Sequence, residues 1–402
     1  MTTTSTGGGL TEQSVRAANG LTARWAAALA DEQTDAKGTA FSGIGVWPLL
    51  GLLSAGADEQ GRTELGSAFG LDADAASDAV RHVVDLFDRN GGLSLAMGLW
   101  QRSDVTIRKD WLDLLPPATR GVLSGDARAD QAALDAWVRE HTKGRLDRMP
   151  VLLTPSIVLL LASALTVDTK WNVPLKPSSG PGVGAWANVT LPLLSRETLP
   201  SDTWLVRTPG GPLTVTVLEG SDEIDVYLLL GEDGRGAASV LGDGLAALDS
   251  VRENGIPATA WSDGQDAPGR SVTTTWNTTG RAETWLECVA FELSAQHDLL
   301  KNANVFGLEH VAANAGGLPG ISDTPVRVGE ARQDVVAEFS AEGFKAAAVT
   351  VVSAMRAAFA RPTQEARRTT ISYTRPHAFA AVHRASGLIL VAGWVGQAGS
   401  SN

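Results

Sequence analysis

Cysteine is almost absent from this chain of 402 residues: Cys288 stands alone, so no intramolecular disulfide and no cysteine-based metal cluster can form. The lone thiol sits in Trp285-Leu-Glu-Cys288-Val-Ala-Phe291, whose strand-like alternation reads as an inert core position. Lysine is scarce as well, with only seven among the 33 basic residues. That arginine bias, beside abundant alanine and glycine, points to a GC-rich bacterial source. Basic clusters are missing and the formal net charge is −12, which disfavours nucleic acid and anionic membrane surfaces as partners, because both repel an acidic chain. The N-terminal MTTTSTGGGLTEQ lacks a basic region followed by an apolar run and a cleavage site, so a cytoplasmic location is expected. The longest apolar stretch, Val151 to Val167, is interrupted by Thr154, Pro155, Ser156, Ser163 and Thr166; it reads as a buried strand with its approach, not a membrane span.

Catalytic signatures are missing too. There is no GxSxG elbow, HExxH or CxxC, and His82, His141, His297, His310, His377 and His383 lack the spacing of metal ligands. No catalytic residue, metal site or cofactor is assigned. Gly234-Arg-Gly236 follows a strand-like run and precedes a helix-like one, but without a third glycine it reads as a strand-to-helix turn and not a dinucleotide loop.

What is present is the composition of a soluble globular protein, 44% hydrophobic and 19% charged. Apolar periodicity predicts helices over Glu12 to Ala30, Val46 to Ala55 and Arg62 to Phe69, and again over Gln131 to His141. Strands are expected at Leu93 to Trp100, Ile157 to Val167, Leu213 to Leu218, Asp225 to Leu230 and Ser271 to Thr279. Of these, Ile157 to Val167 is apolar on both faces and the best candidate for a central strand. Pro177 to Gly184 is the clearest breaker cluster, and Ala258 to Arg270 reads as a surface excursion. No repeat period and no long linker divide the chain, so one α+β domain over residues 1–402 is expected, with 1–11 and 397–402 as disordered tails.

Five blocks in chain order carry a resemblance. Asp135-Ala-Trp137-Val138 running to Thr142-Lys-Gly144-Arg-Leu146 resembles an Asn-x-Trp-Val helix that meets a Thr-x-Gly-x-Ile turn, and Ser163-Ala164 to Trp171 resembles an Asn-Ala-x-Tyr-Phe-x-Gly-x-Trp strand. Upstream, Phe41-Ser42-Gly43-Ile44-Gly45-Val46 is similar to Phe-Ser-Pro-x-Ser-Ile, with Gly56-Ala57 and Gly61-Arg62-Thr63 following. Downstream, Ala341-Glu342-Gly343-Phe344-Lys345-Ala346-Ala347-Ala348-Val349-Thr350 resembles the hinge Glu-Glu-Gly-Thr-Glu-Ala-Ala-Ala-Ala-Thr, and Arg375-Pro376-His377-Ala378-Phe379 with Ser386 to Gly393 resembles a C-terminal strand pair. These are the landmarks of the serpins. The resemblance implies a single large domain of three β-sheets and about eight or nine helices, a monomer, with an exposed reactive loop over residues 341–370.

In that family the loop is bait for a serine or cysteine protease, and cutting lets it enter the main sheet as an extra strand while the protease is still attached. The resemblance makes Gly343, Phe344, Lys345, Ala346, Ala347 and Ala348 the hinge. It puts the scissile bond in the region Met355, Arg356, Ala357, Ala358: Arg356 suits trypsin-like proteases, Met355 or Ala357 elastase-like or subtilisin-like ones. Ala346, Ala347 and Ala348 meet the demand for small inserting residues. Phe344 stands where Thr or Ser is expected, and a bulky ring entering a dense sheet would slow insertion and turn inhibitor into substrate. The sheet-opening cluster falls on Ser42, Gly45, Ser163 and Gln333, where the family carries Ser, Ser, Asn and His; the changes imply lost hydrogen bonding. Gly343 to Pro376 spans 33 positions, longer than the usual loop. These departures favour a non-inhibitory descendant: a small-molecule binder, or a recruited biosynthetic enzyme with a pocket lined by some of the twelve tryptophans, Trp186, Trp204, Trp261, Trp276 and Trp394 among them.

Overall fold

Helix α1 (Glu12–Ala28) starts where the Thr11 hydroxyl accepts the Ser14 amide at 3.1 Å and turns Val15, Ala18, Leu21 and Trp25 inward. Helix α2 (Gly43–Gly56) is capped in the same way by Ser42, which accepts from Gly45 N at 3.2 Å. It is apolar almost all round and is buried almost all round, as an interior helix must be. Asp58 caps α3 (Glu59–Phe69), which stops at Gly70 in the left-handed region, φ +77°. Helices α4 (Ala76–Arg89), α5 (Ala127–His141) and α6 (Ala237–Ala247) complete the longer set. The computed structural model describes residues 10–29, 36–115, 120–141, 144, 148–149, 159–345 and 363–397. Most of the expected tails, 1–9 and 398–402, lie outside them.

The strands are β1 (Thr39–Phe41), β2 (Leu93–Arg102), β3 (Arg120–Leu123), β4 (Leu159–Lys170), β5 (Lys176–Pro181), β6 (Thr190–Glu197), β7 (Thr203–Thr208), β8 (Gly211–Glu219) and β9 (Ile224–Leu230). They continue as β10 (Ile256–Pro257), β11 (Arg270–Asn277), β12 (Glu283–Val289), β13 (Phe291–Asp298), β14 (Glu330–Phe339), β15 (Gly343–Lys345), β16 (Gln364–Tyr373), β17 (His377–His383) and β18 (Leu388–Val395). They build three sheets. One runs β1-β18-β17-β9-β8-β7-β10, a second β11-β16-β12-β6-β5, and the main sheet β13-β14-β15-β4-β2-β3 with a further direct pairing of β14 to β4. Strands β17 and β18 are buried along their whole length, which is why they read as continuous apolar runs.

Sheets and helices share one large apolar core and make a single α+β domain. Aromatic rings join the layers: Phe291 and Phe344 of the main sheet lie 5.0 and 5.7 Å from Phe379 on β17. A smaller apolar cluster of Trp100, Leu123, Leu134, Val138 and Leu160 seats α5 on the main sheet. Cys288 is fully buried and its thiol donates to Leu194 O at 3.7 Å; burial pushes its pKa up and keeps it unreactive. No helix among the described residues is long and apolar enough to cross a membrane.

One expectation differs. The breaker cluster from Pro177 is a strand, not an open connection, because β5 is the exposed outer edge of its sheet, where Pro177 and Pro181 can leave ladder bonds unmade.

Candidate functional site

The site is a fork in the main sheet. In its lower part β14 and β4 pair directly and in parallel, Glu330 with Leu160 through Asp334 with Ala164. Above that level β15 lies between them, antiparallel to both: Phe344 pairs with Phe339 and Thr169, and Lys345 with Glu338 and Asp168. Three residues of the hinge therefore occupy the mouth of the gap.

The chain reaches this position through a tight turn after β14. Ser340 N and Oγ both donate to Gly343 O, at 2.9 and 3.1 Å. Trp171 donates its indole N–H to Ser340 O and its amide to Glu342 O, both at 2.9 Å. Gly343 is required here because a Cβ would overlap the Thr169 carbonyl. Phe344 then turns inward and is fully buried beside Phe379; next to it Phe339 stacks on Phe291 at 5.3 Å and meets Trp171 at 5.0 Å.

This burial revises the expected role of Phe344. Its ring does not wait outside to be forced into the sheet; it already sits in a prepared aromatic setting while the chain is uncut. On the expectation drawn from the resemblance, the residues that would enter the sheet begin at Ala346. Ala346, Ala347 and Ala348, and the bait region Met355, Arg356, Ala357 and Ala358, lie outside the described residues.

Ser42, Gly45, Ser163 and Gln333 come together at the level where β14 and β4 pair, Gln333 being the register partner of Ser163. Gln333 uses both ends of its amide on one residue: Ser42 N donates to its Oε1 and its Nε2 donates to Ser42 O, each at 2.8 Å. The Ser42 hydroxyl donates to Leu390 O at 2.6 Å. A Cβ at Gly45 would lie 2.9 Å from Gln333 Nε2, so the missing side chain makes room for the longer amide. Hydrogen bonding is thus rearranged at this cluster, with β14 tied to the start of α2. Replacing Gln333→Leu keeps the volume and strands a buried N–H and C=O. We expect about 2 kcal/mol of lost stability in urea unfolding, against a much smaller loss for Gln333→Glu at low pH.

Asp334 stands where the two strands part. Its Oδ1 is buried without a hydrogen-bond partner, and its Oδ2 accepts only a long bond from Gln296, 3.4 Å. Burial raises its pKa to about 6, against the lowering pull of Gln296 and Arg332. Neither its composition context nor its spacing marks it in the sequence.

The far end of the loop is held as well. Thr363 N donates to Asn277 O at 3.0 Å, and the residues from Gln364 are strand, not loop. Ten of the positions between Gly343 and Pro376 thus belong to β16.

The tryptophans do not converge. Trp47, Trp111, Trp171, Trp186 and Trp261 donate their indole N–H to the backbone carbonyls of Phe69, Leu52, Ser340, Gly396 and Ile256 at 2.7–3.0 Å. Trp186, Trp204 and Trp394 are core residues, and Trp276 is 59% exposed on β11.

Comparison with known proteins agrees with this architecture. Residues 16–180 match the family model described as serpin (serine protease inhibitor). A search of curated proteins finds no significant match. Among solved structures, a highly specific serpin of the insect Tenebrio molitor superposes with a TM-score of 0.71 at 16% identity, over 96% of this chain and 99% of that one. Human thyroxine-binding globulin complexed with thyroxine gives 0.72 at 17%, over 97% and 99%, and the mouse protein-Z dependent protease inhibitor 0.72 at 14%, over 96% and 97%. With the forked main sheet, the hinge strand at its mouth and the strand that follows the loop all in place, the chain has the serpin fold.

Proposed function

We propose that this protein is a protease inhibitor that works by covalent trapping, with the segment after Gly343 as bait and inserting strand. The observation that carries the reading is the burial of Phe344 between β14 and β4 before any cut. It removes the bulky residue from the inserting step and leaves alanines to go in. If the register of β15 continued on insertion, Ala346 would fall between Ala337 and Val167, Ala348 between Val335 and Leu165, and Thr350 between Gln333 and Ser163. Small side chains would thus meet the inward-facing apolar positions and a hydroxyl the polar cluster. Insertion would exchange the direct β14–β4 pairing for two new ladders.

The reacting protease supplies the chemistry: its nucleophile attacks the carbonyl of the bait bond, the amine leaves with a proton, and an acyl ester or thioester joins the two proteins. If insertion outruns hydrolysis, the bond persists.

The test is incubation with trypsin-like and subtilisin-like serine proteases. A complex that survives SDS, and a sharp rise in melting temperature of the nicked chain, are expected. Clean cleavage between residues 346 and 362 with neither result overturns the reading. A small-molecule role has less to rest on: a cleft of about 620 Å³ near the β7–β8 turn is lined by Arg207, Glu232, Asp233, Asp266, Arg270 and Arg375 among others, and by no tryptophan.

A further inference from the structure

We propose that β11 is a clamp on the strand that follows the loop, so that the loop enters the main sheet only after it has been cut; this rests on the insertion reading above. Strand β16 has a neighbour on each side. Strand β12 covers it from Arg368 to Tyr373, and β11 covers it from Gln364 to Ile371. The first four residues, Gln364 to Arg367, have β11 as their sheet partner, and the ladder runs on past both ends: Thr363 N donates to Asn277 O at 3.0 Å and Ser372 N to Gly269 O at 2.9 Å.

The clamp is itself braced. Asn277 Oδ1 accepts from Thr279 N at 3.0 Å and Gly280 N at 2.6 Å, and its Nδ2 donates to Arg281 O at 2.9 Å, which fixes the turn from β11 into β12 around Gly280, φ +68°. Arg367 pairs with Asp263 in the segment that leads into β11, and on the other side Arg368 pairs with Glu283 of β12 at 2.8 Å while lying 4.9 Å over the Trp285 ring.

Chain length gives the clamp its purpose. Insertion down to the level of Glu330 draws in residues 346–353 by register, leaving nine residues to reach Thr363. Fully extended, they span at most about 32 Å. Any shortfall in an uncut chain must be made up by stripping Gln364 and its successors from β11, against a ladder worth roughly 1 kcal/mol per bond. A cut between the hinge and Thr363 removes the demand, and β16 stays where it is.

The test compares the intact protein with Thr273→Pro/Thr275→Pro. The Gly269 bond sets the odd-numbered residues of β11 as those whose N–H groups face β16, so both prolines remove ladder donors. Amide exchange at Gln364 and Ala366, whose N–H groups the same register turns to β11, is expected to be slow in the wild type and about tenfold or more faster in the variant; unprotected exchange of these two in the wild type overturns the clamp whatever the fate of the insertion reading. Uncut samples held below their melting temperature are then followed by thermal melting and intact mass. The variant is expected to pass to a heat-stable uncut form while the wild type does not. Equal conversion of both, or conversion of neither when the cut chain does gain stability, overturns the clamp. If the cut chain gains nothing, the insertion reading has failed and exchange alone decides. Should the double variant not fold, Thr275→Pro alone serves for the same measurements.

Discussion

Phe344→Ala is expected to lower the melting temperature of the uncut chain while leaving the gain on cutting intact, and Ala348→Phe is expected to do the opposite. The ring at 344 is buried in the uncut chain and stays in the same place when the strand extends, so its loss weighs on both states alike. Truncating a buried Phe commonly costs about 3 kcal/mol or more, visible as a shifted urea midpoint. On the insertion reading, position 348 enters the sheet only after the cut. Once inserted it must fit between Val335 and Leu165, where overpacking costs about 1–3 kcal/mol. That cost falls on the step that competes with hydrolysis, so Ala348→Phe should be cleaved as a substrate, with little SDS-stable complex. Equal effects of the two substitutions on the uncut chain would sink the assignment of Phe344 as already seated.

The second large effect is in pH. His377 is fully buried, donates Nδ1–H to Arg375 O at 2.8 Å, and leaves Nε2 unpaired among Trp186, Phe291 and Tyr373. Burial lowers its pKa to about 4. The unfolded chain takes up this proton near pH 6.5 and the folded chain only near 4, so stability falls as pH drops through that window. Burial lowers His297 and His383 as well, with the same sign. Asp334, raised to about 6, acts the other way: the folded chain binds its proton first, so stability rises from pH 6 towards 4. Between pH 7 and 5 the His377 contribution amounts to a loss of about 2 kcal/mol, and that of the partly exposed Asp334 to a gain of at most about 1 kcal/mol. His377→Phe should therefore flatten the acid limb of a urea-midpoint profile, and Asp334→Asn should steepen it. Parallel profiles for wild type and His377→Phe would refute the assignment.

Much of the fold is legible in the residues. Apolar periodicity finds the first three helices but begins α2 and α3 three residues late, at Val46 and Arg62, because their first turns after the Ser42 and Asp58 caps carry little apolar period; the two-faced apolar run ending at Val167 marks the central strand. Strand β11 was visible as an alternating run too, but not its partner: its pairing with β16 joins residues almost a hundred positions apart, and register over that distance is set by the assembled sheet. The same limit hid the Gln333–Ser42 bonds, 291 positions apart. A list of residue types implied lost hydrogen bonding there, whereas the amide in fact reaches the backbone through space vacated at Gly45. Phe344 was read from its bulk alone. Only the coordinates place it inside the sheet, since sequence does not say how far an inserting strand has already gone.

The fully buried pair β17 and β18 lies in the interior of the seven-stranded sheet, flanked by β1 and β9. Severing the backbone anywhere from 346 to 362 thus frees neither piece, and the two fragments should travel as one particle until a denaturant parts them. A molecule so made keeps its spent half. On the trapping reading proposed above, it has no route by which to shed it and begin again, so each copy would serve for a single encounter.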